Sequence, residues 1–179
     1  MSGQPGLHAQ WFPSPLGDLL AVADESHLHV LSFFDREDKA NILSGLSRSL
    51  GDVIVDEPND VTRQIGAELG DYFSGKSADF KTPLAPAGSA FEKAVWAELL
   101  KVPLAETCSY GDIAKNVGGM ETVRAVGKAN GANPIVIVIP CHRCIGSDGS
   151  LVGYGSGLWR KKWLLRHEGR MRPVGLFAL

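Results

Sequence analysis

The stretch Val136-Ile-Val-Ile-Pro-Cys-His-Arg143 is the most informative part of this chain of 179 residues. A β-branched apolar run is typical of a buried strand, and Pro140 ends such a strand. We therefore expect extended structure over 135–144 that delivers Cys141 to the wall of a site, beside a histidine and an arginine. Structural thiols usually lie among apolar neighbours, whereas basic neighbours lower the pKa of a thiol and favour a nucleophile.

Three other interpretations of Cys141 stay open on the residues alone. It could fill a core at the end of a strand. With Cys144 it forms a C-x-x-C pair, which can be a redox centre, although the residues that follow predict a turn and not a helix start. A structural zinc site lacks a second ligand pair at the usual spacing.

A thiol nucleophile needs a base, and the sequence offers two candidate partners for Cys141, one adjacent to it and one near the C-terminus. His142 is adjacent to the cysteine and could act directly or through water. Glu168 lies at the end of the last predicted helix, where the helix dipole makes a carboxylate unfavourable by ~0.3–1 kcal/mol. It is either a solvated helix-end glutamate or the carboxylate of a Cys-His-acid arrangement.

Charge is distributed unevenly along the chain. Residues 1–88 hold six Lys+Arg and thirteen Asp+Glu, a net charge of −7. Residues 89–179 hold twelve and seven, a net charge of +5. A basic second half suits a polyanionic partner, although a charge of this size is also within ordinary scatter.

Targeting signals and disulfides are not predicted. The N-terminus has no basic stretch followed by an apolar core, and the longest aliphatic run, Ile135–Ile139, is too short to span a bilayer. The three cysteines all follow residue 100, which argues against a disulfide framework and for a reducing compartment. We expect a cytoplasmic protein, or a nuclear one in a eukaryote.

Periodicity predicts an N-terminal α/β domain over 1–88. Residues 8–34 contain three apolar stretches separated by turn residues, which indicates an antiparallel meander. Helices are predicted over 35–50 and 59–73, and the Pro- and Gly-containing stretch 81–88 is predicted to link two domains.

The C-terminal domain, 89–179, is predicted to be mainly helical. Ser89 and Glu92 form a capping-box pattern at a helix start. A short helix from Ser109, a Gly-Gly turn and a helix over 121–130 give a helix-turn-helix pattern, which helical hairpins in proteins without DNA affinity also show. The last helix is predicted over 158–168, with Leu158, Trp163 and Leu164 inward and Gly169 as its stop.

Several residues around these elements have two interpretations. Arg124 and Lys128 stand four apart on one helix face, and Ala125 and Ala129 allow close approach of either another helix or a nucleic-acid groove. Asn133 before Pro134 predicts a turn. Tyr110 and Tyr154 could be core residues or walls of a cleft.

The chain resembles the O6-alkylguanine-DNA alkyltransferases. The resemblance is carried by 133–143 with its Pro-Cys-His-Arg motif, by Gly153-Tyr154, and by Leu164-Leu-Arg-His-Glu-Gly169. Ser109-Tyr-Gly111 and Arg124-Ala-Val-Gly127 match the helix-turn-helix of that family. The match is strong over 89–169 and looser over 8–34 and 68–75, and the length is most similar to the constitutive bacterial form.

The resemblance implies single-turnover repair of duplex DNA, in which an alkyl group moves from O6 of guanine, and less readily O4 of thymine, to Cys141. It implies that His142 takes the thiol proton through a water, that Glu168 orients His142, and that Asn133 packs as a hinge. Tyr110 would donate to the guanine ring. The rest of the implied pocket is the wall residue Tyr154, the Gly155 amide, Ser156 and the carbonyls of Cys141 and Cys144.

The resemblance also implies how DNA is bound. Arg124 would fill the space left by a flipped nucleotide, while Thr122, Ala125, Lys128 and Ala129 would meet the minor groove. The implied fold is α+β with two domains: a ribonuclease H-like N-terminal antiparallel sheet with helices, and a C-terminal helical domain with the helix-turn-helix. We expect a monomer with no cofactor, metal or membrane partner.

Three features depart from the family pattern. Cys144 stands where an aliphatic residue is common, Ser156 replaces a frequent glycine, and Thr122-Val123 replaces smaller residues. Competing functions are a cysteine hydrolase or acyl transferase, a lesion-binding relative without transfer, and a transcriptional regulator. Stoichiometry separates the first of these, because a hydrolase turns over repeatedly.

Overall fold

The computed structural model describes residues 6–35 and 38–172, and these fall into two compact units. The first comprises the described residues up to Phe73 together with Asp79–Ala87. The second comprises Ser74–Ala78 and the residues from Gly88 onward. Among the described residues, every helix is too short or too polar to traverse a bilayer.

The first unit is built on a four-stranded sheet. Its strands are β1 (Leu7–Phe12), β2 (Leu19–Ala23), β3 (Leu28–Phe33) and β4 (Ile54–Val55), in the order β3-β2-β1-β4. The predicted meander is confirmed, since β1, β2 and β3 pair antiparallel in sequence order. The short strand β4 pairs parallel with β1 and was not predicted, because two residues are too few to show an alternating pattern.

Two helices cover the two faces of this sheet. Helix α1 (Lys39–Leu50) begins after its cap Asp38 and packs Ile42 onto one face, while α2 (Asp60–Phe73) lies against β1 and β2. Every residue of β2 is buried, as expected for a central strand covered on both sides. The start predicted for α1 includes Arg36 and Glu37, which lie outside the described residues.

The stretch predicted as a linker runs partly beside the first unit. The Leu28 amide donates to the Pro83 carbonyl at 2.8 Å, and the Ala85 amide donates to the Leu28 carbonyl at 2.9 Å. These two bonds satisfy backbone groups on the outer edge of β3.

The second unit is mainly helical. Its elements are α3 (Ala90–Leu99), β5 (Cys108–Ser109), α4 (Tyr110–Val117), α5 (Val123–Gly131), β6 (Cys144–Ile145) and α6 (Leu158–Met171), with short 3-10 turns at Met120–Thr122 and Cys141–Arg143. Helix α3 contacts α4 and α5, and α4 and α5 contact each other across the turn at Gly118-Gly119, which confirms a compact helix-turn-helix. The predicted capping box of Ser89 and Glu92 is present at the start of α3.

Two predictions for the last helix are wrong. Gly169 does not end α6, which continues to Met171. Burial of Leu164 and Glu168 fixes the helix against its unit, and such packing outweighs the low helix propensity of glycine. Leu158 does not face inward; it is the first helical residue and is 48% exposed.

We expect opposite effects from alanine at two glycines of α2. A Cβ at Gly66 would clash with the Phe12 ring, whereas one at Gly70 would meet no described atom within 4 Å. Gly70→Ala should therefore raise the free energy of unfolding by ~0.5–1 kcal/mol through helix propensity. Gly66→Ala should lower it by about 1 kcal/mol, because overpacking outweighs that gain. Urea unfolding of both variants tests this, and a stabilised Gly66→Ala would contradict it.

Candidate active site

The segment before Cys141 is a buried turn, and the prediction of a strand over 135–144 is wrong. The Ile139 amide donates to the Ile135 carbonyl at 3.1 Å, and only Cys144–Ile145 is extended. Ile137 has φ 71°, a left-handed conformation that strains a β-branched residue. A run of β-branched apolar residues signals burial, and here the buried backbone satisfies its hydrogen bonds within a turn.

Asn133 holds the two ends of this turn together. Its Nδ2 donates to the Ile139 carbonyl at 2.8 Å, and its Oδ1 accepts from the Ile135 amide at 3.0 Å. The same side chain hydrogen-bonds to the thiol of Cys141. One amide side chain thus links the shape of the turn to the position of the sulfur.

A buried carboxylate organises the residues that follow Cys141. Glu168 Oε1 lies 2.7 Å from His142 Nε2, and Arg143 donates through Nε and Nη2 to both carboxylate oxygens at 2.8 and 2.9 Å. Glu168 and His142 are fully buried. Arg143 also donates to the Val102 carbonyl at 2.7 Å, which ties the group to the end of α3.

These contacts set the protonation of the carboxylate and the imidazole. Burial opposes the charge of Glu168, but the hydrogen bonds from His142 and Arg143 outweigh it and lower the pKa of Glu168 to about 2. Burial lowers the pKa of His142, so the ring is neutral at pH 7. An ionised Glu168 only accepts, so Nε2 carries the proton and Nδ1 has the free lone pair. No described residue bonds to that Nδ1.

The expectation that basic neighbours lower the pKa of Cys141 is wrong in direction. The thiol is 4% exposed, and burial raises its pKa although the Asn133 bond and the charge of Lys161 oppose this. Arg143 directs its charge to Glu168, and His142 is neutral, so adjacency in sequence brings no positive charge to the sulfur. Cys141 is a protonated thiol at rest, and a base is needed at the moment of reaction.

A cavity of about 430 Å³ opens between α4, α5 and the loop before α6. Tyr110 stands at its wall with its hydroxyl donating to the Val152 carbonyl at 2.9 Å, and burial raises the pKa of Tyr110 to about 12. Burial also raises the pKa of Tyr154, whose hydroxyl has no partner among the described residues. The lining is Tyr110, Gly127, Asn130, Gly131, Val152, Gly153, Tyr154 and Gly155, and it includes neither Cys141 nor Ser156.

Sequence reasoning missed two residues of this site. Asn130 lines the cavity and donates Nδ2 to the Cys141 carbonyl at 3.4 Å, so it joins the cavity wall to the cysteine turn. Lys161 is fully buried, and its ammonium donates to the carbonyls of Cys144, Val152 and Gly153. The sequence signal for Lys161 was a cation on the face of α6 that also carries Leu164 and Glu168.

The predicted DNA-contacting residues lie on two faces of α5. Arg124, Ala125 and Lys128 are exposed, and Thr122 is half-buried just before the helix. Ala129 is 2% exposed, and its carbonyl accepts the Trp96 indole N–H at 2.8 Å. Ala129 therefore packs against α3, and its predicted DNA contact is not compatible with this burial.

The histidines, cysteines and carboxylates do not assemble into a metal site in the described part of the chain, where no three of them converge as ligands. The side chains around the cysteine offer a thiol, a neutral imidazole with one nitrogen that has no described partner, and two protonated phenols.

We expect stability to fall in acid through Glu168. A lowered folded-state pKa contributes stability above the unfolded value of 4.5, and this is lost as pH falls toward about 2. The full contribution is about 3 kcal/mol. Thermal unfolding from pH 7 to pH 2.5 should show a steeper loss in wild type than in Glu168→Gln. Glu121→Gln, at an exposed position, should follow wild type; parallel curves for all three would contradict the assignment.

Two family models match consecutive parts of the chain. The 6-O-methylguanine DNA methyltransferase ribonuclease-like domain matches residues 7–86. The DNA binding domain of the same methyltransferase matches residues 90–170. Together they cover both compact units almost completely.

Named relatives align over nearly their whole length. A methylated-DNA–protein-cysteine methyltransferase of Methanosarcina acetivorans is 40% identical over 158 residues, covering 88% of this chain and 96% of the relative. One of Salmonella typhimurium is 41% identical over 159 residues, covering 87% and 92%. The structure of Mycobacterium tuberculosis OGT in complex with DNA is 36% identical with a TM-score of 0.79, covering 93% of this chain and 95% of that one.

Matching family models over both halves and full-length relatives at this identity lead to one conclusion: the chain belongs to the methylated-DNA–protein-cysteine methyltransferase family.

Proposed function

We propose that this chain repairs alkylated DNA by transferring the alkyl group from O6 of guanine to the sulfur of Cys141, once per molecule. The observation that carries the assignment is the buried hydrogen bond between Glu168 and His142, the residue that directly follows Cys141 in sequence. Glu168 fixes Nε2 as the protonated nitrogen, which leaves Nδ1 as a base. Transfer to O4-alkylthymine is the slower alternative reaction.

The proposed chemistry starts from a protonated thiol. His142 takes the Cys141 proton through a bridging water, and the positive imidazole is stabilised by the ionised Glu168. The thiolate then attacks the alkyl carbon, a carbon–sulfur bond forms, and the bond from that carbon to O6 breaks. The electron pair goes to the guanine ring. The product is a thioether, which water does not readily cleave, so the protein is consumed.

Two groups are proposed to assist departure of the guanine. Tyr110 keeps its proton, because its raised pKa lies well above neutral pH. Its one O–H would turn from the Val152 carbonyl, which also accepts from Lys161, to the guanine ring as negative charge develops there. The Gly155 amide would meet the departing oxygen, and Tyr154 would wall the pocket. Cavities of 300–1,000 Å³ typically hold small ligands, so about 430 Å³ suits an extruded base.

The carbonyls of Cys141 and Cys144 are proposed to receive the exocyclic amine of guanine. They already accept from Asn130 and Lys161 respectively. A carbonyl oxygen has two lone pairs, so a second donor can be accommodated. The bonds from Asn130 and Lys161 therefore orient both carbonyls. Asn133 acts as the hinge that fixes the position of the cysteine turn after α5. The Ser156 carbonyl accepts from Arg160 Nη1 at 2.8 Å, and the Ser156 side chain would limit the room for bulky adducts.

DNA is proposed to meet the exposed side of α5 in the minor groove. Arg124 would occupy the space vacated by the flipped nucleotide, while Thr122, Ala125 and Lys128 contact the groove and its phosphates. Flipping is required because the alkylated oxygen is stacked inside the duplex, and weakened pairing at a lesion lowers its cost. We propose that the protein acts as a monomer on duplex DNA, in the cytoplasm or, in a eukaryote, in the nucleus.

Cys141→Ala should abolish transfer while duplex binding persists, because only the acceptor sulfur is lost. Intact-mass measurement after mixing with DNA carrying one O6-methylguanine should show one added methyl group on wild type and none on the variant. Cys108→Ser, which alters a thiol outside the proposed machinery, should gain the methyl group normally. A methyl group on Cys141→Ala, or repeated turnover by wild type, would contradict the proposal.

Arg124→Ala should slow repair of duplex DNA more than reaction with a free O6-alkylguanine base. The reason is that the base analogue needs no flipping. Single-turnover rates on both substrates provide the measurement, and Arg63→Ala, an exposed arginine of α2, is the matched control. Equal losses on the two substrates would argue against a flipping role. Binding of wild type should weaken with added salt, because phosphate contacts release counterions from the DNA and that release is less favourable at higher salt.

A further inference from the structure

Two cysteines outside the proposed transfer reaction lie side by side in the second unit. Strands β5 and β6 pair parallel, and Cys108 is the direct Cα partner of Cys144. Paired residues on neighbouring strands point to the same face, and strand spacing of about 4.8 Å lies within the Cα separation that a disulfide spans. The Cys144 thiol already hydrogen-bonds to the Cys108 sulfur.

The two thiols differ in reactivity and access. The hydrogen bond from Cys144 lowers the pKa of Cys108 against the opposing effect of burial. That same bond, together with burial, raises the pKa of Cys144, which is completely buried. Cys108 is half-buried and lines a cavity of about 280 Å³ on the surface. An oxidant would therefore reach Cys108 first, as the more acidic and more accessible sulfur.

The charge around that cavity selects the kind of oxidant. Glu98, Glu106 and Asp112 line it, with Lys101 as the cation paired to Glu98. An excess of carboxylates disfavours anionic oxidants such as glutathione disulfide. A small neutral hydroperoxide meets no such repulsion.

We propose that Cys108 and Cys144 form a peroxide-sensitive dithiol that closes to an intramolecular disulfide while Cys141 stays a thiol. Cys141 is spared because it is 4% exposed and, unlike Cys108, does not line the cavity near Glu98. This inference does not depend on alkyl transfer, since neither step of the oxidation uses the acceptor sulfur.

The oxidation balances in two steps. The Cys108 thiolate attacks one oxygen of hydrogen peroxide, the O–O bond breaks, and hydroxide leaves with formation of a sulfenic acid. The Cys144 sulfur then attacks the sulfenic sulfur, the S–O bond breaks, and water is released as the S–S bond forms. Two thiols together lose two electrons and two protons, and the peroxide is reduced to two waters.

Peptide mapping tests the proposal directly on the full chain. Wild type is treated with equimolar hydrogen peroxide, quenched in acid, unfolded with a thiol-blocking reagent and digested with trypsin. Trypsin places the three cysteines in separate peptides, 102–115, 129–143 and 144–160. We expect 102–115 joined to 144–160 with loss of two hydrogen atoms, and 129–143 carrying the blocking group. Dithiothreitol should reverse the link.

Cys108→Ser is the control, and its 144–160 peptide should remain unlinked at the same dose. The proposal is overturned if 129–143 is joined to 144–160, if Cys108 is oxidised to a sulfinic acid without a link, or if no thiol reacts before Cys141. Methyl transfer measured on unoxidised samples is a separate readout, so failure of the dithiol and failure of the transfer reaction can be told apart.

Discussion

The buried carboxylate of Glu168 is the interaction on which the second unit depends. A carboxylate without water is stable only when it is paired and fully hydrogen-bonded, and here Arg143 and His142 supply those bonds. The arginine neutralises the charge. The bond to Glu168 fixes the tautomer of the histidine, so that its Nδ1 can accept a proton. Because both partners directly follow Cys141 in sequence, satisfying one buried charge also helps to place the thiol. The pairing of the Glu168 carboxylate therefore both stabilises the fold at this site and sets the protonation of its base.

The cysteine itself is held in a resting state. Its thiol is buried and protonated, and its turn contains Ile137 in a strained conformation kept in place by Asn133. Such strain persists only where the surroundings over-determine the backbone. A neutral thiol is less reactive than a thiolate toward other electrophiles. Activation of Cys141 therefore depends on the base that Glu168 orients.

Local signals in the sequence predicted much of the fold. The apolar stretches of β1 to β3, separated by turn residues, and the helical spacing of Val61, Ile65, Leu69 and Tyr72 are both short-range patterns. The capping box of Ser89 is likewise local. The run before Cys141 could not be predicted in the same way, because its hydrophobicity reports burial while its path is set by Asn133 and by the elements around it. Similarly, Arg143 was expected to lower the pKa of the thiol, but its guanidinium pairs instead with the carboxylate of Glu168, twenty-five residues away in sequence.

Lys161 shows how far a single buried cation constrains a loop. Its ammonium has three N–H donors, and three carbonyls accept them, from the strand after the cysteine turn and from the loop that walls the cavity. A glutamine offers two donors, and an arginine spreads five over a wide planar fork. Among the encoded side chains, only that of lysine ends in a compact ammonium with three N–H donors. Replacing Lys161 with either residue would therefore disturb the loop that walls the cavity, even though Lys161 contacts neither the sulfur nor its base.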